Sequence, residues 1–363
     1  MESKNSADHN SLINDIREST KFKGYSFSEY KKTEVKKQLI NSMSKGKVEP
    51  ACYWCAELIC AGHFMDVWET ILYFVGKHIH IGNPKVVIYL EMRYEFFKNI
   101  MQKGHFLKEI ELRNNSMIRE LFAEIIFVIT MSIKKHSFES IKINRADEFD
   151  ITQMQDRLKA TSMKYVETVI DKEDPKELYI AINEFGYHIS DDSKSMVLAC
   201  HWIEWLIEFD LICKKRKEPC KCKRRKYGVD NAFQCDNIWI VWDLINETCD
   251  QRDNLFLKKI ITAIQTLFCI KYTTASCKKR RYLLYFAVAV LTEPLQNHCE
   301  LFENKEGLKV VVQKIDEIYK QIKKSEHSPN TEYLFANLDK QNNFEESVRK
   351  IEMLNNMGFV PRG

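Results

Sequence analysis

The residues best suited to chemistry lie in one short polar stretch, 213–235. It carries nine lysines and arginines within thirteen positions, with a single acid, Glu218. Clustered cations raise the local potential whatever the net charge of a chain, so this stretch is suited to contact nucleic-acid phosphates. A nuclear-import signal, or a solvated loop between two helices, would explain the same composition. The predicted phosphate-contacting residues are Lys214, Lys215, Arg216, Lys217, Lys221, Lys223, Arg224, Arg225 and Lys226.

Four cysteines in the same stretch form a candidate zinc site. Cys213, Cys220, Cys222 and Cys235 could surround a tetrahedral ion, and the neighbouring cations would stabilise their thiolates. Their spacing of six, one and twelve intervening residues lacks the two CxxC knuckles that indicate zinc most strongly. Free thiols are therefore the default interpretation, and structural zinc is the one cofactor that the sequence suggests.

Other chemical motifs are weak or missing. Cys52 and Cys55 form a CxxC, but they lie in an apolar helical run, where packing explains cysteine better than redox chemistry. His78 and His80 could bind a metal, although no carboxylate or cysteine near them in sequence joins them. The sequence has no GxxxxGK[ST], GxGxxG, GxSxG or HExxH motif and no convincingly spaced pair of acids. We therefore predict a protein that is not an enzyme.

The composition favours helices and a reducing compartment. The 363 residues include only 11 glycines and 7 prolines, and a chain with few turn-forming residues favours long helices over hairpins. The N-terminal residues are polar, without the apolar region of a signal peptide, and no apolar run reaches the length of a membrane span. Several cysteines lie inside apolar runs. These features predict a protein that is neither secreted nor embedded in a membrane.

The elements that position these residues form two similar series of helices. The stretches 51–59 and 199–207 coincide at five of nine positions, at an offset of 148 residues. Phe122 and Phe286 each begin a Phe-Ala apolar run, at an offset of 164, so the second series would carry sixteen extra residues. The basic stretch can supply them. We predict an all-α fold of two related multi-helix modules, an internal duplication, with a C-terminal helical tail.

Two local predictions and a set of boundaries follow from this organisation. Ser26 or Ser28 is expected to cap the first helix. The stretch 238–245 has the composition of a strand, but its register in the repeat predicts a helix. The predicted parts are a flexible N-terminus (1–22), module 1 (23–150), a linker (151–175), module 2 (176–300) with the basic insertion 213–235, and the tail (301–363).

One part of the sequence resembles a known family. The pattern Ala51-x-Tyr53-Trp54-x-Ala56-x-Leu58-Ile59-x-Ala61-Gly62, followed by an apolar helix and then by Ile79 and Pro84, is similar to the C-terminal helical domain of RarA/MgsA-type proteins. These are AAA+ relatives of clamp loaders, and in them this domain forms the oligomerising collar. The resemblance covers residues 51–90, and the ATPase domain is missing. It implies a helical oligomerisation module in DNA replication or repair. The whole Lys-, Asn- and Ile-rich sequence also resembles uncharacterised proteins of large nucleocytoplasmic DNA viruses.

Together these features predict a non-enzymatic, clamp-loader-collar-like scaffold or subunit of a viral DNA replication or repair assembly, with a basic loop that contacts nucleic acid. The alternative is a structural virion protein, a minor capsid or capsid-lining component that acts through protein–protein contacts. The expected partners are other proteins of such an assembly, DNA and further copies of the chain. The expected location is the cytoplasm or nucleus of the host cell, including a viral factory, or the virion.

Overall fold

The chain folds into helices, as a computed structural model shows for residues 11–103, 109–149, 155–218, 220–295 and 300–327. These residues form twelve helices of more than one turn and no β-sheet, which confirms the predicted all-α class. In chain order the helices are α1 (Lys32–Ser44), α2 (Val48–Cys60), α3 (Phe64–Phe74), α4 (Lys85–Lys103), α5 (Ser116–Met131), α6 (Tyr179–Ile189), α7 (Met196–Lys215), α8 (Ile238–Gln251), α9 (Leu255–Cys269), α10 (Thr274–Lys279), α11 (Arg281–Thr292) and α12 (Lys305–Lys323).

Helices α2 and α8 show how the sequence specifies these elements. Helix α2 buries its apolar residues nearly all round, and Gly62 just beyond it has a φ of 78°, the left-handed backbone that ends a helix at little cost for glycine. Helix α8 contains the stretch with strand-like composition, so the helix predicted there is confirmed. Its Trp239 and Trp242 are fully buried. This tertiary packing stabilises the helix and overrides the weak local preference for a strand.

The loop before α1 differs from the prediction. Helix α1 begins at Lys32 without a side-chain cap, and neither Ser26 nor Ser28 caps it. Both hydroxyls donate instead to the carboxylate of Glu57 on α2, over 2.8 and 2.6 Å. Glu57 is fully buried, and an unpartnered buried carboxylate would cost more than an uncapped helix end. The two serines therefore provide hydrogen bonds for the carboxylate of Glu57 rather than for the backbone at the start of α1.

The helices form two groups that pack in the same order. In the first group α1 packs on α2, α5 packs on α1, α2 and α4, and α3 contacts α1 and α2. In the second group α6 packs on α7, α11 packs on α6, α7 and α9, and α8 contacts α6 and α7. The packing order of the first group thus recurs in the second. The internal duplication of the sequence itself stays a prediction.

The two groups meet along α4 and α9 and around α11. Helix α11 is buried from Tyr282 to Leu291 and packs on α3 and on the π-helical turn Val75–Ile79. In that turn, a Cβ on Gly76 would lie 2.9 Å from the carbonyl carbon of Tyr282, so only glycine allows the two backbones to approach. Buried side chains of both groups join in one continuous apolar cluster. The predicted module boundaries stay predictions.

Both ends of the described chain pack on the first group. Helix α12 lies on α2 and α5, where the buried Arg119 of α5 pairs with Asp316 at 2.6 Å and lies 3.9 Å from the ring centre of Tyr319. The same arginine donates to the hydroxyl and carbonyl of Ser11, at 2.8 and 3.1 Å. Residues 11–22, expected to be loose, are thus tied to the core. Residues 328–363 of the predicted helical tail lie outside the described residues.

Candidate functional site

The basic stretch is the loop 216–237, which we call the basic loop, between α7 and α8. Its anchor is Arg225, which donates to Asp174 at 2.8 Å, to the carbonyl of Val169 at 3.1 Å and to Asp243 on α8. Burial alone would raise the pKa of Asp174, but hydrogen bonds from Arg225 and from backbone amides hold it below its ordinary value. Arg225 therefore fastens the loop to α8 and to the segment before α6.

Two more of the predicted phosphate contacts are engaged within the protein. Lys223 pairs with Asp171 at 2.5 Å, and its backbone N–H donates to Asp174 at 2.9 Å. Lys214, in the last turn of α7, pairs with Asp210 at 2.5 Å. These two pairs are partly exposed, so a phosphate can compete for the lysines. Arg225 is different, because its side chain is only 9% exposed and is held by Asp174, Asp243 and the carbonyl of Val169.

The other six predicted cations are presented to solvent. They are exposed, and they form no ion pair with the residues that the structure describes. They are Lys215, Arg216, Lys217, Lys221, Arg224 and Lys226. Lys217 has a φ of 62°, in the left-handed region, where the chain turns away from the end of α7. Seven of the nine cations lie in the basic loop, and Lys214 and Lys215 lie in the last turn of α7. The sequence alone could not separate the anchor from the exposed residues.

The predicted zinc site is not formed. Within the described ranges, no three His, Cys, Asp or Glu side chains are grouped so that they could hold a metal ion. The thiol of Cys222 donates to the sulfur of Cys220, which lowers the pKa of Cys220 and raises that of Cys222. The backbone N–H of Cys222 donates to the carbonyl of Cys235 at 2.9 Å. Because Arg225 already fixes the loop, nothing requires the four thiols to converge, and Cys213 and Cys235 stay free thiols.

The histidine pair His78 and His80 and the CxxC at Cys52 and Cys55 are explained by packing. His80 is fully buried, stacks on Phe138 with ring centres 3.9 Å apart and donates from Nε2 to the carbonyl of His136 at 2.8 Å. Burial lowers the pKa of His78 and of His80 to about 4, so both are neutral at physiological pH. Cys52 of the CxxC is buried as well, and burial raises its pKa to about 12, as suits a packed thiol rather than a redox centre.

A pocket of about 790 Å³ lies between the two helix groups, and no motif in the sequence indicates it. Residues of α1, α3, α7, α10 and α11 and the segment 140–143 line it. On α7, the buried Glu204 accepts from the hydroxyl of Tyr285 at 2.8 Å and pairs with Arg281 at 3.0 Å. Burial raises the pKa of Glu204. The lining residues come from six separate segments, so only the folded chain brings them together.

The charges of this pocket favour an anion. Each of the three carboxylates that line it is matched by an arginine: Glu69 by Arg280, Glu204 by Arg281 at 3.0 Å, and Glu208 by Arg145 at 2.6 Å. Lys142 and Lys279 also line the pocket, are exposed and form no ion pair with the described residues. The acids are thus neutralised by arginines, and the surplus charge is positive. Such a pocket can bind an anionic group.

Comparison with models of protein families, with curated proteins and with solved structures gives no match for this chain. The resemblance to the collar domain therefore rests on the residues of 51–90 alone. None of the helices in the described part of the chain is long and apolar enough to cross a membrane. The basic loop and the pocket between the groups are the features from which a function can be argued.

Proposed function

We propose that the protein is a non-enzymatic, nucleic-acid-binding helical subunit whose basic loop contacts phosphates. The observation that carries this proposal is that one cation of the basic stretch is held inside the protein while others are exposed. Arg225 is buried and holds the loop in place, whereas six cations between positions 215 and 226 are exposed and without an ion pair in the described residues. Cations on a fixed loop lose less conformational freedom on binding than cations on a loose one, so they bind phosphates more effectively.

A groove beside the loop supports the same proposal. Lys226, at the end of the basic segment, also lines a cavity of about 460 Å³ between α4 and α9. Tyr94 and Lys98 of α4 and Tyr227 line it too, and the ammonium of Lys98 lies 5.6 Å from the ring centre of Tyr94. A nucleic-acid strand that contacts the loop can continue into this groove, where Lys98 is paired with Glu95 at 2.8 Å. Because that pair is exposed, a phosphate can compete for the lysine.

The replication or repair assembly is a further part of the proposal. It rests on the resemblance to the collar domain and on two groups of helices that could contact other proteins. Co-purification tests it: recovery of a polymerase, clamp or helicase with the protein supports a replication role. Abundance in purified virus particles, without those enzymes, would favour the structural virion role instead.

The nucleic-acid proposal is tested by DNA binding of two variants. In the loop variant, Lys215, Arg216, Lys217, Lys221, Arg224 and Lys226 are all changed to Gln. In the matched control variant, six exposed lysines elsewhere are changed to Gln: Lys21, Lys23, Lys31, Lys45, Lys47 and Lys259. At low salt, fluorescence anisotropy with single-stranded and duplex DNA should show at least about a tenfold loss of affinity for the loop variant. Equal losses in both variants would mean that net charge, and not the loop, causes binding.

A further inference from the structure

We propose that the pocket between the two helix groups binds an organic phosphate whose apolar body has about the size of a nucleoside. The pocket shares no lining residue with the basic loop, so this proposal and the proposed function can be tested independently. Its volume of about 790 Å³ lies within the range of small-molecule sites, which is roughly 300–1,000 Å³. A ligand there would touch both helix groups at once.

The apolar body of the ligand has a matching wall. Ile40, Ile141 and Ile143 line the pocket and are only partly buried, so they have apolar surface left to cover. Tyr73 and Tyr282 line it as well, with ring centres 5.4 Å apart and planes at 83°. An aromatic or aliphatic group can cover this wall, whereas a bare inorganic ion would leave it in contact with water.

The phosphate of the ligand has a positioned partner in Arg281. The buried carboxylate of Glu204 holds the guanidinium at 3.0 Å, and Nε donates to the carbonyl of Lys278 at 3.0 Å. Nη2 of Arg281 meets no partner within the described residues, so it is available to a ligand. A guanidinium that is fixed by a buried acid and has donors to spare is well suited to bind phosphate.

The surroundings of Arg281 add positive potential. Lys142 and Lys279 line the same pocket without an ion pair in the described ranges. Arg281 is also the first residue of α11, and the partial positive charge of a helix N-terminus favours a nearby anion. A cationic ligand would have to separate Glu204 from Arg281 or Glu69 from Arg280, and both pairs are largely buried. These two acids are therefore closed to a cationic ligand, and the third, Glu208, is already shared by Arg145 and Lys278.

Isothermal titration calorimetry with the full chain tests this inference. The probes are AMP and UMP, with adenosine, uridine and inorganic phosphate for comparison. A nucleotide should bind with a dissociation constant at or below about 1 mM, and the nucleosides and phosphate at least about tenfold more weakly. The double change Lys142→Gln and Lys279→Gln affects only exposed side chains and should weaken nucleotide binding by about tenfold. Ser140→Trp, which introduces a large ring at the pocket, should weaken it further.

The change of Lys21 and Lys23 to Gln, far from the pocket lining, serves as the control and should leave nucleotide binding intact. No binding of either nucleotide at several millimolar, or binding that both pocket variants leave unchanged, overturns the inference. Inorganic phosphate that binds as tightly as the nucleotides overturns the assignment of an apolar body. If only the loop variant loses nucleotide binding, the nucleotide is held by the basic loop: that result overturns this inference but leaves the proposed function standing.

Discussion

The guanidinium of Arg225 lies 2.8 Å from the carboxylate of Asp174, and their side chains are 9% and 0% exposed. This contact joins the basic loop to a segment 51 residues earlier in the chain. Arg224, the neighbour of Arg225 in sequence, is exposed and has no ion pair in the described residues. Two adjacent arginines thus lie in opposite environments, one paired inside the protein and one exposed to solvent.

The change Arg225→Gln should lower the free energy of unfolding by about 3 kcal/mol, because it leaves Asp174 buried without its counter-charge. Urea denaturation followed by circular dichroism measures this loss. The comparison is Lys223→Gln, which removes the partly exposed pair with Asp171 and should cost less than about 1 kcal/mol. Equal losses for the two changes would show that Arg225 is not the anchor of the loop.

The buried Arg119 should hold both ends of the described chain. The change Arg119→Met keeps the length of the side chain but removes the pair with Asp316 and the hydrogen bonds to Ser11. We expect a loss of about 3 kcal/mol in the free energy of unfolding and faster tryptic cleavage within α12. Gln313→Met, at an exposed position of the same helix that trypsin does not cut, should change neither. Undisturbed cleavage in the Arg119 variant would contradict this role.

The helices could be predicted from the sequence, because each buried face repeats with helical spacing within a few turns of chain. The register of 238–245 gave a helix where composition alone favoured a strand, and α8 bears that out. The roles of single polar residues could not be predicted, since they depend on distant partners. No feature of the sequence near Arg225 predicts its contact with Asp174. Likewise, no feature near Lys142 predicts that it lines the same pocket as Arg281 and Tyr73. For the same reason the spacing of Cys213, Cys220, Cys222 and Cys235 could not decide between a candidate zinc site and the default of free thiols.

Stability should fall as the pH falls from about 6.5 towards 4. Burial lowers the pKa of His78, His80 and His201 to about 4, whereas an unfolded histidine titrates near its ordinary value of about 6.5. Between these values the unfolded chain binds protons that the folded chain does not, so acid favours unfolding. The stability is fully present above about pH 6.5. His80 and His201 are buried, and each should account for a loss of about 2 kcal/mol by pH 4.5, whereas the half-buried His78 should account for less.

Urea denaturation at pH 7.0 and 4.5 checks this pH dependence. The change His201→Gln removes one of the three titrating groups, so the difference between the two pH values should shrink relative to the intact protein. The explanation fails if His201→Gln shows the same acid loss as the intact protein.

Cys220 should be the most reactive cysteine in the described part of the chain. Its pKa is lowered by the hydrogen bond from Cys222, and it is only partly buried. Cys55 and Cys200 lie in the core, where burial raises their pKa, so they should react slowly. Iodoacetamide labelling of the native protein at pH 7.5, read by peptide mass spectrometry, should modify Cys220 first. Equimolar zinc that protects Cys213, Cys220, Cys222 and Cys235 together would restore the four-thiol site.

The most direct test of the central claim is the salt dependence of DNA binding. For the intact protein, the logarithm of the association constant should fall steeply with the logarithm of salt concentration. The loop variant should have a slope shallower by about three units or more, since each lost phosphate contact removes roughly 0.7–0.9 of a unit. The matched control variant should keep the steep slope. An unchanged slope in the loop variant, or no binding by the intact protein even at low salt, would contradict the claim that the basic loop contacts nucleic acid.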